Sequence, residues 1–319
     1  MKRILVIRGG AIGDFILTLP AVKLLRDNFP HAHLEILGYK RIIALAKNRF
    51  YANSTRSIDY APLSRFFARD SELAPELVTY FGSFDLVLSY LFDPDEIFAA
   101  NVKRCGVRRL IAGSPKFDGR EHSARQLARP LQELGLTLVE SAAFLFPNES
   151  DREAAMKFLG RNKAPIVAIH PGSGSETKNW PIENWIALGE QLLRAGGRFV
   201  VVGGEADEKQ ISQLRSLWGD KPVVRFAIDL PLPHLAAILE DAVFVGHDSG
   251  VSHLAAAAGA KCILLFGPTD PAVWAPANEN AKVLRAPDGD LRKIPVAEVI
   301  AALGHPERSE GPCEQLRVL

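Results

Sequence analysis

The sequence predicts an α/β protein made of two doubly wound domains, and three observations support this fold class. The chain has 319 residues, a length that suggests about two domains. Hydrophobic residues make up 47% and charged residues 24%, an ordinary globular composition that lets each half build its own core. Short apolar runs, typical of buried parallel strands, alternate with segments of helical periodicity. This alternation predicts parallel sheets with helices on both faces.

The first half begins with an apolar run that ends at a glycine turn, followed by a helix in which Pro20 lies near the first turns, where proline is tolerated. Further apolar runs alternate with helical patterns as far as residue 111. In chain order, the predicted elements are a strand at 4–7, a helix at 15–28, a strand at 34–37, a helix at 42–47, and strands at 86–88 and 110–111.

The alternation restarts after Lys163-Ala164-Pro165 and is stronger there than in the first half. The predicted elements are strands at 166–169, 199–202, 243–245 and 262–266, and helices at 182–194, 232–239 and 253–258.

We therefore predict an N-terminal domain at 1–160, a C-terminal domain at 161–303 and a polar tail at 304–319 that is poorly ordered. Doubly wound domains bind their ligands at the carboxyl ends of their strands. Both sets of strand ends are expected to face one cleft between the domains.

Charge and cysteine content exclude several classes of protein. The formal net charge is only +1, so no bulk field favours nucleic acid, and no nucleic-acid partner is expected. The three cysteines fit neither a disulfide framework nor a zinc pattern, which favours a reducing compartment. No stretch approaches the ~20 apolar residues of a membrane span. We expect a cytoplasmic protein, with peripheral contact at a membrane surface still open.

The segment Arg8-Gly-Gly-Ala-Ile-Gly-Asp14 joins the first strand to the first helix, a context suited to ligand binding by exposed backbone amides. A dinucleotide fingerprint would need a glycine where Arg8 stands, so a nicotinamide oxidoreductase is disfavoured. Asp14 has two interpretations. It caps the helix, or it is a general base for a hydroxyl of a substrate.

The segment His170 to Pro181 reads H-P-G-S-G-S-E-T-K-N-W-P and follows a predicted strand. Ser173 and Gly174 can bring hydroxyl and amide groups close to a phosphate, and Lys178 suits a diphosphate. The alternative for Lys178 is an ordinary solvent-exposed lysine on a turn. The spacing does not match a P-loop, which disfavours an NTPase.

Glu205 follows the glycine turn after the predicted strand at 199–202. A carboxylate at this position accepts hydrogen bonds from ribose hydroxyls in nucleotide-binding domains. A first-turn acid of the next helix is an equally good interpretation.

The segment Gly246 to Gly259 gives the sharpest signal, because a strand, a polar turn and an alanine-rich helix follow one another. Asp248, Ser249 and Gly250 lie at the predicted helix N-terminus, where free amides bind anions. His253 lies on the same helix face as Ser249, although a lone histidine is more often structural. A nucleophile elbow is excluded because His247 stands where its first glycine should be.

A run between residues 101 and 130 holds eight basic residues and two acids. A phosphorylated or carboxylated acceptor at a membrane surface would suit such a patch. Lys116 and Arg120 are the best candidates because they lie in a Gly/Ser/Pro-rich loop. For any one residue, a solvated helix face or loop explains the charge as well.

Together these segments resemble the bacterial heptosyltransferases of glycosyltransferase family 9, from Arg3 to about Pro276. The anchors are G-D-x-x-x-x-x-P at Gly13 to Pro20, H-P-G-S with K-x-W-P at His170 to Pro181, D-S-G-V-S-H-L-A-A-A at Asp248 to Ala257, and F-G-P-T-D-P at Phe266 to Pro271.

The resemblance implies a GT-B fold, two Rossmann-like domains with an active site between them. It implies an inverting transfer of heptose from ADP-heptose to a lipopolysaccharide inner-core acceptor, without a cofactor or metal, and leaves open peripheral contact of a cytoplasmic enzyme with the inner membrane. Asp14 would be the general base, and Lys178 would act in catalysis by stabilising the leaving nucleotide diphosphate.

The donor-binding residues that this resemblance implies are Ser173, Gly174, Lys178, Glu205, Asp248, Ser249, Gly250 and His253. Asp248 would hold sugar hydroxyls, Glu205 the ribose, and His253 would support its loop. The family lacks a D-x-D metal motif, so Asp93-Pro94-Asp95 is interpreted as a turn.

Departures from the family pattern leave the donor sugar and the acceptor open. Residues 9–12 are glycine-rich where better-known members carry serine or threonine, and no anchor beyond the first turn lies in the acceptor domain. Three alternatives remain: a GT-B enzyme with another donor sugar, a nucleotide-sugar epimerase or hydrolase, and a non-catalytic nucleotide-sugar-binding protein.

Overall fold

The computed structural model describes residues 1–160 and 165–304, and the chain divides into two compact units, Met1–Phe146 and Pro147–Leu319. Most of the tail predicted from Gly304 lies outside the described residues, as do the first two residues of Lys163-Ala164-Pro165. Among the helices of the described ranges, none has the length and apolar character needed to span a membrane.

The first unit is built on a five-stranded sheet whose paired strands are all parallel. Its strands are β1 (Arg3–Arg8), β2 (His33–Gly38), β3 (Ser54–Ser57), β4 (Leu86–Ser89) and β5 (Leu110–Ala112). Its α-helices are α1 (Ile12–Asn28), α2 (Lys40–Ile43), α3 (Pro75–Gly82), α4 (Ile97–Arg104) and α5 (Ser123–Ala128), with 3₁₀ segments at Ala61–Phe67 and Arg129–Leu134.

The strand order of the first sheet is β3-β2-β1-β4-β5. The strands stay parallel, but the order reverses between β1 and β4, because the chain adds strands on one side of β1 as far as β3 and then crosses to the other side for β4 and β5. In open α/β sheets such a reversal leaves a crevice at the carboxyl ends of the two strands, and ligands bind there. The turn after β1 and the segments after β4 and β5 follow the carboxyl ends of the strands, the edge of this unit where a ligand is expected; this edge is called the functional edge below.

The described part of the second unit has a six-stranded parallel sheet. Its strands are β6 (Val167–Ile169), β7 (Phe199–Gly203), β8 (Val224–Ile228), β9 (Val243–His247), β10 (Lys261–Phe266) and β11 (Ala281–Arg285). Its α-helices are α6 (Glu149–Leu159), α7 (Ile182–Arg194), α8 (Glu208–Trp218), α9 (Leu232–Leu239), α10 (Gly250–Ala258), α11 (Pro271–Trp274) and α12 (Val296–Gly304), with 3₁₀ turns at Glu176–Lys178, Glu205–Asp207, Pro287–Gly289 and Leu291–Lys293.

The second sheet has the order β11-β10-β9-β6-β7-β8, and its reversal lies between β6 and β9. The two segments with the clearest motifs, those after β6 and β9, follow these two central strands. The topology therefore places them side by side at the predicted ligand crevice.

The compact units divide before α6, earlier than the residue 160 boundary drawn from the sequence. Helix α6 packs Ala155 against Ala237 and Ile238 of α9, and Arg152 forms a two-pronged ion pair with Glu240. These contacts explain why α6 belongs with the second unit.

In the part of the chain that the structure describes, each unit has one buried cysteine in its core. Cys105 packs among the aromatic side chains of the first unit, and Cys262 lies in β10 of the second. Burial raises the pKa of both thiols. Cys105 and Cys262 are both free thiols.

Candidate functional site

The turn after β1 presents Asp14 at the start of α1. Gly10 has a φ of +92°, and a Cβ on it would lie 2.6 Å from Asp14 Oδ2, so only glycine fits there. Asp14 Oδ2 accepts the Ala11 backbone N–H at 2.8 Å, which satisfies a free amide of the helix N-terminus. The Asp14 side chain is still 32% exposed. Asp14 therefore caps α1 and keeps part of its carboxylate accessible.

Arg8, at the end of β1, holds this carboxylate from behind. Its side chain is buried, its Nη2 lies 3.2 Å from Asp14 Oδ1, and its Nε donates to the Asp14 carbonyl at 3.3 Å. Burial lowers the pKa of Arg8, while the charge of Asp14 opposes this shift. The residue that breaks the dinucleotide fingerprint thus has a role of its own, which is to fix the direction of Asp14.

Lys116 and Arg120 lie in the segment after β5, and both side chains are exposed. The Lys116 ammonium lies 4.3 Å from the ring centre of Phe92, an exposed aromatic residue that follows β4. This cation–π contact places a positive charge and an apolar ring together at the functional edge of the first unit.

Several other basic side chains of the 101–130 segment have protein partners. Arg108 pairs with Asp85 at 2.9 Å, and Arg129 pairs with Asp118 at 2.7 Å and with Glu121. The segment as a whole is therefore less basic toward a ligand than its composition indicates.

The Asp93-Pro94-Asp95 segment forms a turn, as predicted. Asp93 accepts the backbone N–H groups of Phe98 and Ala99 at 3.1 and 2.8 Å, which caps α4. Among the described residues, no group of three or more His, Cys, Asp or Glu side chains is arranged to hold a metal ion.

In the second unit, the segment between β6 and α7 carries three of the predicted donor-binding residues. Ser173 is buried and its hydroxyl donates to the Ser175 carbonyl at 2.7 Å, whereas Gly174 is exposed. Lys178 ends a 3₁₀ turn two residues before Trp180. The Trp180 amide donates to His247 Nε2 at 2.8 Å, and its indole N–H donates to the Ile294 carbonyl at 2.9 Å. Trp180 thus anchors the segment from which Lys178 projects.

Lys178 and Asp248, both predicted donor-binding residues, pair directly. The ammonium lies 2.7 Å from Asp248 Oδ2, with the lysine side chain 30% exposed and the aspartate side chain 9% exposed. Because β6 and β9 are neighbours, residues 70 positions apart in sequence meet at one sheet edge.

The turn after β9 ends at Ser249, the N-cap of α10, whose hydroxyl accepts the Ser252 amide at 3.4 Å. Gly250 begins the helix, so the first amides of α10 lie at this edge, and free amides at a helix N-terminus favour anions. His253 is 5% exposed, a burial that suits support of the loop as well as ligand contact. Glu205 is exposed in the 3₁₀ turn after β7.

Three buried side chains that sequence analysis did not select, His170, Asp207 and His247, connect these segments. His170 Nε2 lies 3.2 Å from Asp207 Oδ2, and His170 Nδ1 lies 3.4 Å from Ser249 Oγ. Asp207 Oδ2 also accepts the Gly204 amide at 2.9 Å. One hydrogen-bonded chain therefore joins the ends of β7, β6 and β9.

The space beside Gly172 shows how closely the Asp207 side chain is packed. A Cβ on Gly172 would lie 1.6 Å from Asp207 Oδ1, so the glycine of H-P-G-S makes room for the aspartate. Burial acts to raise the pKa of Asp207, but the hydrogen bond and charge of His170, with the Gly204 amide, hold it below its usual value. Asp207 is accordingly an anion and a hydrogen-bond acceptor.

His247 is the second buried histidine. Burial lowers its pKa to about 3, so it is neutral at physiological pH. Its Nε2 accepts the Trp180 amide, which leaves the proton on Nδ1, and Nδ1 donates to the Gly172 carbonyl at 3.2 Å. In the sequence, His170 opens the H-P-G-S anchor, whereas His247 was marked by its position at the end of a buried strand.

A model of glycosyltransferase family 9 (heptosyltransferase) matches residues 122–295, more than half of the chain. Among curated proteins, lipopolysaccharide heptosyltransferase 3 of Escherichia coli K12 is 26% identical over 305 residues, covering 89% of this chain and 87% of that protein.

Two solved structures extend the comparison to the fold. A glycosyltransferase family 9 protein from Veillonella parvula superposes with a TM-score of 0.79 at 21% identity, covering 94% of this chain and 95% of that one. The E. coli ADP-heptose lipopolysaccharide heptosyltransferase II superposes with a TM-score of 0.77 at 18% identity, covering 95% and 97%.

Two parallel α/β units, with the fold of solved family 9 structures, define the class of the protein as a GT-B glycosyltransferase, as the sequence predicts. The chain belongs to glycosyltransferase family 9, the heptosyltransferase family. It is a transferase enzyme, and the oxidoreductase, NTPase and serine-hydrolase alternatives are excluded with it.

Proposed function

We propose that the protein transfers heptose from ADP-heptose to an inner-core sugar of lipopolysaccharide, with inversion at the anomeric carbon. The observation that carries this proposal is the carboxyl edge of the second sheet. There the Lys178 ammonium, the Ser249 hydroxyl and the first amides of α10 are grouped at the reversal between β6 and β9 in a chain of family 9.

The donor diphosphate is assigned to this edge. Ser173 and Gly174 bring the β6 segment to the phosphates, and Lys178 with the amide of Gly250 supplies positive charge. Glu205, exposed after β7, is assigned to the ribose. Asp248 has one oxygen on Lys178, and its other oxygen is assigned to hydroxyls of the sugar.

The reaction requires one proton acceptor. The oxygen of an acceptor hydroxyl forms a bond to the anomeric carbon, the bond from that carbon to the phosphate oxygen breaks, and ADP leaves with the bonding electrons. Asp14 takes the hydroxyl proton. The positive groups around Lys178 stabilise the charge that grows on the leaving diphosphate, which is transition-state stabilisation of the electrostatic kind.

The acceptor is assigned to the first unit, where Lys116 and Arg120 are exposed and the Lys116 ammonium lies over the ring of Phe92. A cation next to an apolar ring suits a phosphorylated sugar carried on a lipid. We accordingly assign the enzyme to the cytoplasm, as a peripheral protein at the inner membrane. We assign it no nucleic-acid partner, metal or other cofactor.

The first test is calorimetric binding of ADP, UDP, GDP and dTDP to the purified protein. A clear preference for ADP supports the proposal, and transfer is then measured by mass spectrometry with ADP-heptose and lipopolysaccharide-core acceptors. Preference for another nucleotide would replace the donor and keep the transferase class. Loss of ADP-heptose without formation of a glycosylated acceptor would indicate a hydrolase or epimerase instead.

A further inference from the structure

The hydroxyl of Ser249 lies at one end of the buried chain Asp207–His170–Ser249. Two hydrogen bonds link Asp207, His170 and Ser249, and the contacts of Asp207 fix where one of their hydrogen atoms lies, on Nε2 of His170. Asp207 is an anion that already accepts the Gly204 amide, so it must also accept from His170. His170 therefore carries hydrogen on Nε2 in either charge state.

The state of Nδ1 then decides what Ser249 can do. In neutral His170, Nδ1 is an acceptor, so the Ser249 hydroxyl donates its hydrogen inward to the ring. In protonated His170, Nδ1 is a donor, so Ser249 Oγ accepts from it and its own hydrogen must point elsewhere. The Ser249 hydroxyl is thus a donor toward a ligand only when His170 is charged.

The surroundings of Ser249 leave two destinations for that hydrogen. The Ser252 hydroxyl donates to the His247 carbonyl, so its oxygen is free to accept from Ser249 Oγ, 3.2 Å away. An anion at the N-terminus of α10 is a stronger acceptor than a neutral hydroxyl and would take the hydrogen from Ser252.

We propose that the His170–Asp207 pair sets the direction of the Ser249 hydroxyl, and that proton uptake by His170 turns this hydroxyl into a donor to the diphosphate. His170 and Asp207 are then positioning residues that act through Ser249. The inference rests on the proposed function, because that function places a diphosphate beside Ser249.

The charges around His170 come from the segments that follow β6, β7 and β9 and from α10. Besides His170, the titratable and charged groups on these segments are Glu176, Lys178, Glu205, Asp207, His247, Asp248 and His253. His247 stays neutral because burial lowers its pKa to about 3, and Asp248 is paired with Lys178. His170 is the imidazole in contact with both Asp207 and Ser249, so its charge state decides which way the Ser249 hydroxyl points.

The first experiment measures ADP affinity by calorimetry between about pH 5.5 and 8.5 in the unaltered protein and in Ser249→Ala. The unaltered protein should lose about tenfold in affinity as pH rises, beyond the loss in Ser249→Ala, because a hydrogen bond to a charged phosphate is lost. The titration of ADP itself is common to both proteins and cancels. Parallel pH curves for the two proteins would overturn the proposal.

A double-mutant cycle then separates action through Ser249 from a merely structural role. His170→Gln alone should weaken ADP binding about tenfold at low pH, and should change it less than about twofold when Ser249 is already alanine. His31→Gln, at an exposed histidine of the first unit, is the matched control and should change nothing. Additive effects of His170→Gln and Ser249→Ala would contradict the proposal.

A ligand-free measurement keeps the proposal testable if the variants fold poorly or ADP does not bind. Nitrogen-15 NMR of the histidine rings in the unaltered protein should show the neutral His170 ring with hydrogen on Nε2, and an Nδ1 signal shifted by hydrogen bonding. A neutral ring with hydrogen on Nδ1 would overturn the proposal. Absence of ADP binding with the expected ring signals would instead place the failure in the proposed function.

Discussion

At the carboxyl edge of the second sheet, buried polar side chains join the ends of three strands, whereas at the same edge of the first sheet Asp14 is held by residues of its own turn. The second edge has His170, Asp207 and His247 beneath its exposed ligand groups. The first edge has Arg8 behind Asp14, and exposed side chains on the segments after β4 and β5. In the proposed function, the buried contacts hold the second edge rigid for the nucleotide that every turnover shares, whereas the first edge, with its exposed side chains, suits acceptors that vary.

The largest expected effect lies on the first edge. Asp14→Asn should abolish transfer, with a loss of at least about a thousandfold in kcat, because asparagine cannot take the acceptor proton. ADP affinity should stay within a few-fold. Asparagine can still accept the Ala11 amide, so the cap of α1 is kept.

The matched control for this prediction is Asp27→Asn on the same helix, where the carboxylate is exposed and pairs with Lys23. It should leave kcat unchanged. Retention of most activity by Asp14→Asn would remove Asp14 as the base and would make the first edge purely a binding surface.

The next largest effect is expected at the second edge, on ADP affinity and on the transfer rate. Lys178→Ala should weaken ADP binding and lower the transfer rate, each by about 10- to 100-fold, since a phosphate contact acts in the ground state and in the transition state. It also leaves Asp248 without its partner at 2.7 Å. Lys209→Ala, at an exposed lysine of α8, is the control. Unchanged calorimetry and kinetics for Lys178→Ala would place this lysine outside the site.

Preorganisation of the second edge can be tested by a pair of glycine substitutions. Gly172→Ala should lower the free energy of unfolding by about 1–3 kcal/mol, because its Cβ would overlap the Asp207 carboxylate. Gly174→Ala, two residues away, meets nothing within 4 Å and should leave this free energy nearly unchanged. Denaturant unfolding of both variants measures the difference, and equal stability would show that the Asp207 packing is loose.

His247 gives a pH dependence of stability. Its pKa is about 3 in the folded protein and an ordinary ~6.5 in the unfolded chain, so the unfolded chain binds more protons between these values. Stability should therefore fall as pH decreases from about 6.5 toward 3. Urea unfolding of His247→Gln should show lower stability at neutral pH and a shallower loss on acidification. An equally steep loss would assign the acid sensitivity to other groups.

The smallest effect is expected where the first edge is most open. Lys116→Ala or Arg120→Ala should raise the KM for a phosphorylated acceptor a few-fold, because exposed charges contribute little individually. Neither should change ADP affinity. Arg129→Ala is the comparison, since Arg129 pairs with Asp118 and Glu121. A rise in KM with an unphosphorylated acceptor as well would argue against phosphate recognition by these two residues.

The fold class and the motif-bearing turns were predictable because hydrophobic periodicity and glycine position are local properties of the sequence. The predicted helix at 182–194 and the turn before Gly250 have the predicted positions. Strands β3, β8 and β11 were not predicted. Their sequences carry polar or charged residues, as Ser54–Ser57 shows, because β3 lies at a sheet edge where burial is incomplete.

The Asp207–His170–Ser249 chain could not be predicted for a different reason. Its members lie 37 and 79 positions apart and meet only through the order of the parallel strands. A single sequence does not show which strands are neighbours in the sheet. The ligand-facing residues were selected by their motifs, while the residues beneath them needed the topology.

The buried thiols of Cys105 and Cys262 make the two units separately observable. Each thiol lies in the core of a different unit and has a pKa raised by burial, so a soluble alkylating reagent can react with it only after that core opens. With Cys313 replaced by serine, mass spectrometry of timed alkylation would give one opening rate per unit. Addition of ADP should slow the labelling of Cys262 and leave that of Cys105 nearly constant, which turns two native side chains into reporters of where the nucleotide binds.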